Sequence, residues 1–122
     1  MILPFKPQFV PRILSGRKIH TIREDKTNRW KPGNKIQMAT GVRTKNYNCF
    51  KTAVCISVQT IEIKYFMGCG KFPIIKIDGE LLDENFELAL FQNDGFDSRE
   101  DFFSWFDSDF KGKIIHWTYF KY

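Results

Sequence analysis

The chain has few of the residues that mark a disulfide-stabilised, zinc-binding or membrane-spanning protein. Its three cysteines, Cys49, Cys55 and Cys69, are odd in number and form no Cys-x-x-Cys pair, so neither a disulfide framework nor a zinc knuckle is indicated. We expect buried or idle thiols and no cofactor. A metal site that combines these thiols with His20 or His116 is the weaker alternative, because its spacing is wrong for zinc.

Long apolar runs, low-complexity segments and internal repeats are also absent. The longest apolar runs are far shorter than the roughly 20 residues of a membrane-spanning helix, so we expect no membrane partner. Residues 1–5 lack the charged leader and apolar stretch of a signal peptide, which predicts a cytoplasmic protein. A length of 122 residues without a Ser/Gly-rich linker predicts one domain over residues 1–122.

Acidic residues are scarce in the first half of the chain. Residues 1–61 carry twelve Lys and Arg against two acids, a net charge of +10, whereas residues 62–122 carry seven against twelve, a net charge of −5. The cations crowd between residues 17 and 45, and Trp30 lies among them. Cations that neutralise phosphates, next to rings that stack on bases, are typical of RNA and nucleotide binding. For Trp30, stacking on a ligand and packing in the core both stay open.

The densest chemistry lies in residues 16–23, Gly-Arg-Lys-Ile-His-Thr-Ile-Arg. Arg17, Lys18 and Arg23 can neutralise a phosphate or a carboxylate. Thr21 is a possible nucleophile if Lys18 loses its proton in a desolvated pocket. The segment therefore indicates an anionic ligand, and the alternative is an exposed edge strand with solvated charges.

A second candidate ligand segment is the polar loop at residues 40–48, which separates two predicted strands. Arg43 and Lys45 can hold a phosphate, and Asn46 can bind a base edge. A hairpin loop of this length is polar for solubility in any case, so an ordinary connection is the alternative.

The remaining pattern predicts a mixed fold. A short helix is expected at residues 7–15, strands at residues 35–39, 53–63 and 113–120, and a hairpin around Asp78-Gly79. Helices are expected after Asp83 and from Asp97 or Ser98. We predict an α+β fold, a small and mainly antiparallel β-barrel with two or three peripheral helices.

The order of these motifs resembles the ASCH domains of the PUA-like superfamily. The resemblance is carried by the helix before Gly16, the Gly-Arg-Lys-x-x-Thr-Ile-Arg segment, the basic loop with Pro32-Gly33, and residues 94–98 and 112–117 near the end. It implies a PUA-like β-barrel with a link to RNA.

Some ASCH-like proteins hydrolyse the amide of 4-acetylcytidine, and the resemblance implies a catalytic lysine, a threonine three residues later and a distant glutamate. Lys18 and Thr21 match the first two positions, and Asp94 occupies the third with a carboxylate shorter by one methylene. In such a mechanism Lys18 takes the proton of Thr21, whose oxygen attacks the acetyl carbonyl. Arg23 or backbone N–H groups would stabilise the oxyanion.

Strand geometry sets a condition on this pair. In a regular strand Lys18 and Thr21 would point to opposite faces, so they meet only if the chain bends near Gly16. His20, on the same strand face as Lys18, is an alternative base because its ordinary pKa suits proton transfer.

Three functions follow as hypotheses. The first is a module that binds RNA or a modified nucleoside or nucleotide through cations and a ring. Its predicted ligand-binding residues are Arg17, Lys18, Arg23, Trp30, Arg43, Lys45 and Asn46. The second is an amidohydrolase that acts on acetylated cytidine through Lys18, Thr21 and Asp94. The third is a protein-interaction domain whose basic face meets an acidic partner.

Overall fold

The computed structural model describes residues 1–68 and 71–122, and this part of the chain contains eight β-strands and three α-helices. The strands are β1 (Ile2–Pro4), β2 (His20–Arg23), β3 (Lys35–Thr40), β4 (Asn48–Val54), β5 (Ser57–Met67), β6 (Lys71–Ile77), β7 (Glu80–Leu81) and β8 (Phe110–His116). The helices are α1 (Val10–Leu14), which follows a 3₁₀ turn at Pro7–Phe9, α2 (Glu84–Asn93) and α3 (Arg99–Trp105).

The strands form two sheets. One has three strands in the order β1-β3-β4, and the other has five in the order β2-β8-β5-β6-β7. Strands β1 and β3 pair in parallel, and the other pairs are antiparallel. The predicted α+β class and the mainly antiparallel pairing are therefore confirmed. The described strands lie in these two sheets without forming a closed barrel, so the barrel is not confirmed.

The chain passes from the first sheet to the second at Cys55 and Ile56. The amide of Cys55 donates to Asn34 O at 2.8 Å, and the amide of Ile56 donates to His116 O at 2.8 Å. These two bonds end β4 at Val54 and leave β5 to begin at Ser57. The prediction of one strand over residues 53–63 is wrong here, because an alternating pattern does not reveal that consecutive residues pair with different sheets.

One apolar core contains residues of both sheets and of the helices. Its fully buried members include Ile36, Met38, Ile63, Leu90, Phe91, Phe102, Ile114 and Ile115. Cys55 is buried in this core and Cys49 is exposed, whereas Cys69 lies outside the described residues. Burial raises the pKa of the Cys55 thiol, so it is an inert packing residue.

Local signals place the later elements. Asp78 and Gly79 both have positive φ, at 52° and 85°, which is the geometry of a two-residue hairpin turn between β6 and β7. Asp83 caps α2 by accepting from the amide of Asn85, and Ser98 caps α3 by accepting from the amide of Asp101. The closing strand ends at His116, four residues earlier than predicted. None of the described helices has the length and apolar character needed to cross a membrane.

Candidate functional site

A cavity of about 360 Å³ lies where the N-terminal segment, β2 and the ends of α2 and α3 meet. Its volume falls in the range of about 300–1,000 Å³ that is usual for small-molecule sites. Its walls combine five aromatic residues with five that carry a charge or a hydroxyl. The aromatic walls are Phe5, Phe9, Phe96, Trp105 and Phe106, and the charged or hydroxyl-bearing residues are Lys6, Lys18, Thr21, Arg23 and Asp94.

The bend before β2 brings Lys18 and Thr21 to the same cavity. Gly16 has a φ of +83°, a left-handed conformation that favours glycine, and the amide of Lys18 donates back to Arg12 O at 2.9 Å. Regular pairing of β2 with β8 starts only at His20. Lys18 therefore lies outside the strand alternation, and its side chain and that of Thr21 both line the cavity.

Lys18 and Asp94 form a buried ion pair at the inner end of the cavity. Lys18 Nζ lies 3.3 Å from Asp94 Oδ1 and also donates to the backbone oxygen of Asp94. Only 2% of Lys18 and 3% of Asp94 is exposed. Burial lowers the pKa of Lys18 below its ordinary value, and the nearby Asp94 carboxylate opposes this shift without cancelling it. A lysine with a lowered pKa that lines the same cavity as a threonine hydroxyl meets one requirement of general-base chemistry.

Asp94 is placed by the end of α2. It is the C-cap residue of this helix, and the following Gly95 has a φ of +92°. A Cβ at Gly95 would lie 3.0 Å from Lys18 Cδ and 3.1 Å from Phe9 Cδ1, so this close approach requires glycine. Arg12 also donates to the backbone oxygen of Gly95. The sequence Asp94-Gly95 thus allows both the turn and the packing of Lys18 against it.

Behind Asp94, a buried hydrogen-bond chain fixes the carboxylate. His20 Nδ1 lies 3.2 Å from Asp94 Oδ1, and His20 Nε2 lies 2.6 Å from Tyr122 Oη. Burial lowers the pKa of His20 and raises that of Tyr122, so the imidazole stays neutral and the phenol keeps its proton. Because a carboxylate only accepts, Nδ1–H donates to Asp94 and Nε2 accepts from Tyr122. Asn93 Nδ2 completes the chain by donating to Tyr122 Oη at 3.2 Å.

Thr21 has a cationic neighbour on its own strand. Arg23 Nε donates to Thr21 Oγ1 at 3.3 Å, and the guanidinium also donates to Pro4 O. Its Cζ lies 4.9 Å from the centre of the Phe5 ring. A donor that points at the hydroxyl oxygen stabilises negative charge that develops there. Among the described residues, no hydrogen bond joins Lys18 Nζ to Thr21 Oγ1.

The structure brings together four of the nine predicted site residues, Lys18, Thr21, Arg23 and Asp94. Arg17 instead pairs with the exposed carboxylate of Asp97 at 2.7 Å and does not line the cavity. Trp30 is only 7% exposed and belongs to the core, which favours packing over the stacking role proposed for it.

The predicted ligand loop also lies apart from the cavity. Arg43, Lys45 and Asn46 are exposed in the turn between β3 and β4, and none of them contributes to the cavity wall. The loop closes on itself, since the hydroxyl of Thr44 donates to Gly41 O at 2.7 Å and accepts from the amide of Asn46 at 3.1 Å. This self-contained turn makes these residues a separate surface rather than part of the Lys18 site.

Sequence reasoning missed the aromatic walls and the chain behind Asp94. Phe5 and Phe9 both precede the basic segment at residues 16–23 in the sequence, and this closeness is the signal from which their role was predictable. His20 was considered as a base, but it is fully buried, and it contacts Asp94 rather than the cavity. Tyr122 carries no local signal, because its contacts with His20 span 102 positions.

Within residues 1–68 and 71–122, no group of three or more His, Cys, Asp or Glu side chains is arranged to hold a metal ion. Comparison with known proteins gives no match, whether with family models, with curated proteins or with solved structures.

Proposed function

We propose that this protein is a small amidohydrolase that removes the acetyl group from 4-acetylcytidine or a closely related acylated cytosine. The observation that carries the proposal is that Lys18, Thr21 and Asp94 line one aromatic cavity, with Lys18 and Asp94 paired in its interior. The resemblance to ASCH domains supplies the substrate class, and with it we propose a PUA-like relationship for the fold.

The cavity has the chemistry to bind a flat, polar base. Phenylalanine and tryptophan rings stack on bases of any sequence, and Phe5, Phe9, Phe96 and Trp105 line its walls. Thr21 and Lys18 supply polar groups to the same wall. A cytosine base that enters with its acetylated exocyclic amine leading brings the acetyl group to the Thr21 hydroxyl and the Lys18 side-chain amine.

In the first step, Lys18 acts from the deprotonated form, whose population its lowered pKa increases, and takes the hydroxyl proton of Thr21 as Oγ1 attacks the acetyl carbonyl carbon. The carbonyl oxygen takes the electron pair and becomes an oxyanion, while Arg23 Nε, which donates to Thr21 Oγ1, stabilises negative charge on the attacking oxygen. When the tetrahedral intermediate collapses, the carbon–nitrogen bond breaks and the Lys18 ammonium returns the proton to the departing amine. Cytidine leaves, and Thr21 carries an acetyl ester.

In the second step, Lys18 takes a proton from water while the water oxygen attacks the ester carbon. The bond to Thr21 Oγ1 breaks, the threonine oxygen recovers the proton from Lys18, and acetic acid leaves as acetate and a proton. Asp94 holds the Lys18 amine through both steps by its contact at 3.3 Å and keeps the charge of the ammonium compensated. The Asp94 side chain is one methylene shorter than that of glutamate. We propose that the close approach of the neighbouring Gly95 to Lys18 compensates for this difference.

The test is a time course with 4-acetylcytidine in which free cytidine is separated by chromatography. The wild-type protein is expected to release cytidine, Lys18→Ala to lower the rate by about a hundredfold or more, and Thr21→Ala to abolish turnover. Thr52, an exposed strand threonine, provides the matched control Thr52→Ala, which is expected to keep the wild-type rate. Absence of cytidine release by the wild-type protein would contradict the proposal.

A second candidate function is RNA binding through the exposed basic surface. It is favoured by Arg43 and Lys45, which are exposed and form no ion pair with an acid in the described part of the chain. Binding of single-stranded RNA is expected to weaken steeply as salt is raised, because counterions compete for the phosphates. Loss of this salt dependence in the double variant Arg43→Ala, Lys45→Ala would support RNA binding at the surface that contains these two residues. Wild-type binding by that variant would contradict it.

A further inference from the structure

The cavity carries more positive charge than its one carboxylate compensates. Lys6, Lys18 and Arg23 line it, and Asp94 is the single acid among the lining residues. Asp94 Oδ1 is already shared by Lys18 Nζ at 3.3 Å and His20 Nδ1 at 3.2 Å. Within the described residues, neither Lys6 nor Arg23 forms an ion pair with an acid. Two cationic side chains of the cavity therefore have no anionic partner.

Both cations are tied to the segment at the end of β1. The guanidinium of Arg23 donates to Pro4 O, and Lys6 follows two residues later. Lys6 is exposed, and its Nζ lies 5.0 Å from the ring centre of Trp105, which is itself 45% exposed. Lys6 and Trp105 thus mark the mouth of the cavity, and Arg23 marks the wall next to Thr21.

We propose that Lys6 and Arg23 form a subsite for a phosphate group, so that the preferred substrate is a phosphate-bearing form of the acylated cytidine rather than the free nucleoside. This inference rests on the proposed function, because it adds a charged group to the same substrate. The acetyl group lies at Thr21, the base lies along the aromatic wall, and the phosphate lies towards the mouth.

Physical chemistry favours an anion at this place. Arg23 is largely withdrawn from water, and burial lowers the pKa of its guanidinium although the Asp94 carboxylate opposes this shift, which means that its charge is poorly solvated. A phosphate supplies the missing negative charge and accepts the guanidinium N–H groups that remain free after the bonds to Thr21 and Pro4. A narrow cleft with charges of one sign also concentrates anionic ligands of the opposite sign. An uncharged nucleoside has no group that compensates the charge of Arg23, accepts its free N–H groups or is attracted by the positive cleft.

The test compares three substrates, 4-acetylcytidine, its 5′-monophosphate and a short oligoribonucleotide that contains one 4-acetylcytidine. We expect kcat/KM to be at least about tenfold higher for a phosphate-bearing substrate than for the nucleoside at low salt, and this preference to shrink as salt is added. A preference for the monophosphate assigns the phosphate to a free nucleotide. A preference confined to the oligonucleotide assigns it to an RNA strand and still supports the subsite. Equal values for all three substrates would overturn it.

Two variants separate the subsite from general charge effects. Lys6→Met removes the cation at the mouth and is expected to lower the ratio between phosphate-bearing substrate and nucleoside severalfold, with the remaining preference due to Arg23. Lys111→Met removes the same charge from an exposed position on β8, outside the cavity wall, and is expected to leave the ratio unchanged. A wild-type ratio in Lys6→Met, or an equal loss in both variants, would contradict the subsite.

A binding measurement tests the phosphate subsite independently of the proposed hydrolase activity. Calorimetric titration with cytidine and with cytidine 5′-monophosphate measures the subsite without turnover. Tighter binding of the monophosphate that depends on Lys6, in a protein that hydrolyses none of the three substrates, would retain the subsite and contradict the amidohydrolase. Hydrolysis of all three at one rate, with equal binding of both titrants, would retain the amidohydrolase and contradict the subsite.

Discussion

Lys18 Nζ lies 3.3 Å from Asp94 Oδ1 in a place where both side chains are withdrawn from water. The two residues are 76 positions apart, so this contact ties the segment before β2 to the end of α2. A buried ion pair adds little net stability compared with an apolar pair, but breaking it leaves an uncompensated charge inside the protein. The pair therefore makes both the fold and the cavity dependent on Asp94.

Replacing Asp94 is expected to cost both stability and activity. In Asp94→Asn, the Lys18 ammonium loses its carboxylate while it stays buried, which is expected to lower the free energy of unfolding by about 3–5 kcal/mol. Release of cytidine is expected to fall as well, because Asp94 no longer holds the Lys18 amine in the cavity that Thr21 lines. Urea unfolding and the hydrolysis assay measure the two effects.

The matched control for this variant is Asp97→Asn, three residues further on. Asp97 also pairs with cations, Arg12 at 3.1 Å and Arg17 at 2.7 Å, but its side chain is 54% exposed. Exposed ion pairs are screened by water, so Asp97→Asn is expected to destabilise much less. Equal losses of stability in the two variants would contradict the special role of the buried pair.

Gly95→Ala tests the packing of the loop on Lys18. An added Cβ would lie 3.0 Å from Lys18 Cδ, so the lysine has to shift and kcat is expected to fall. Backbone strain contributes about 1–2 kcal/mol of destabilisation, because alanine disfavours a φ of +92°. Gly79→Ala separates the two effects, since Gly79 has a φ of +85° with no atom within 4 Å of the added Cβ. It is expected to lose stability but not activity, and loss of kcat in both variants would contradict the packing argument.

Tyr122→Phe tests the chain behind Asp94. Removing the phenol leaves the buried His20 Nε2 without its partner at 2.6 Å, at an expected cost of about 1–3 kcal/mol. Asp94 still accepts from Nδ1–H and keeps the tautomer, but the ring loses the second of its two anchors, so Asp94 is held less firmly and kcat is expected to fall while KM stays nearly constant. Tyr119→Phe, at an 88% exposed tyrosine, is the control and is expected to match the wild-type protein in both assays. An unchanged kcat in Tyr122→Phe would show that the hydrogen bonds from Asp94 through His20 to Tyr122 have a structural role only.

The two histidines are expected to make stability depend on pH. Burial lowers the pKa of His116 to about 3 from an ordinary value of 6.5. As the pH falls below about 6.5, the unfolded chain takes up a proton that folded His116 refuses, so the unfolding free energy falls by up to about 1.4 kcal/mol per pH unit. His20, whose pKa is also lowered by burial, adds a loss of the same sign.

Urea unfolding between pH 7 and pH 5.5 measures this slope, above the range in which ordinary carboxylates titrate. His116→Gln can keep a hydrogen bond to Gln59, which lies 2.9 Å from His116 Nε2, while it removes the titration. Its slope is expected to be smaller than that of the wild-type protein. A wild-type slope in the variant would show that His116 is not the group responsible.

Much of the local structure was predictable because its causes are local. The hairpin at Asp78-Gly79 follows from two residues that tolerate positive φ, and the starts of α2 and α3 follow from the caps Asp83 and Ser98. The bend that lets Lys18 and Thr21 line the same cavity follows from Gly16 in the same way.

The rest depends on contacts that no short window of sequence contains. The break at Cys55 and Ile56 arises because their amides bond to Asn34, just before β3 of one sheet, and to His116, in β8 of the other. Trp30 lies in a segment that resembles a ligand loop, yet the backbone amides of this segment bond to Asp25 and its ring packs in the core. The link from Asp94 through His20 to Tyr122 likewise exists only in three dimensions.

The most direct test of the central claim is single-turnover hydrolysis of 4-acetylcytidine by two variants of Thr21, with protein in excess and cytidine followed by chromatography. Thr21→Ser keeps a hydroxyl in the cavity and is expected to release cytidine at a measurable rate. Thr21→Ala removes the hydroxyl and is expected to be at least about a thousandfold slower than the wild-type protein. Release by Thr21→Ala at the wild-type rate would show that Thr21 is not the nucleophile and would contradict the account.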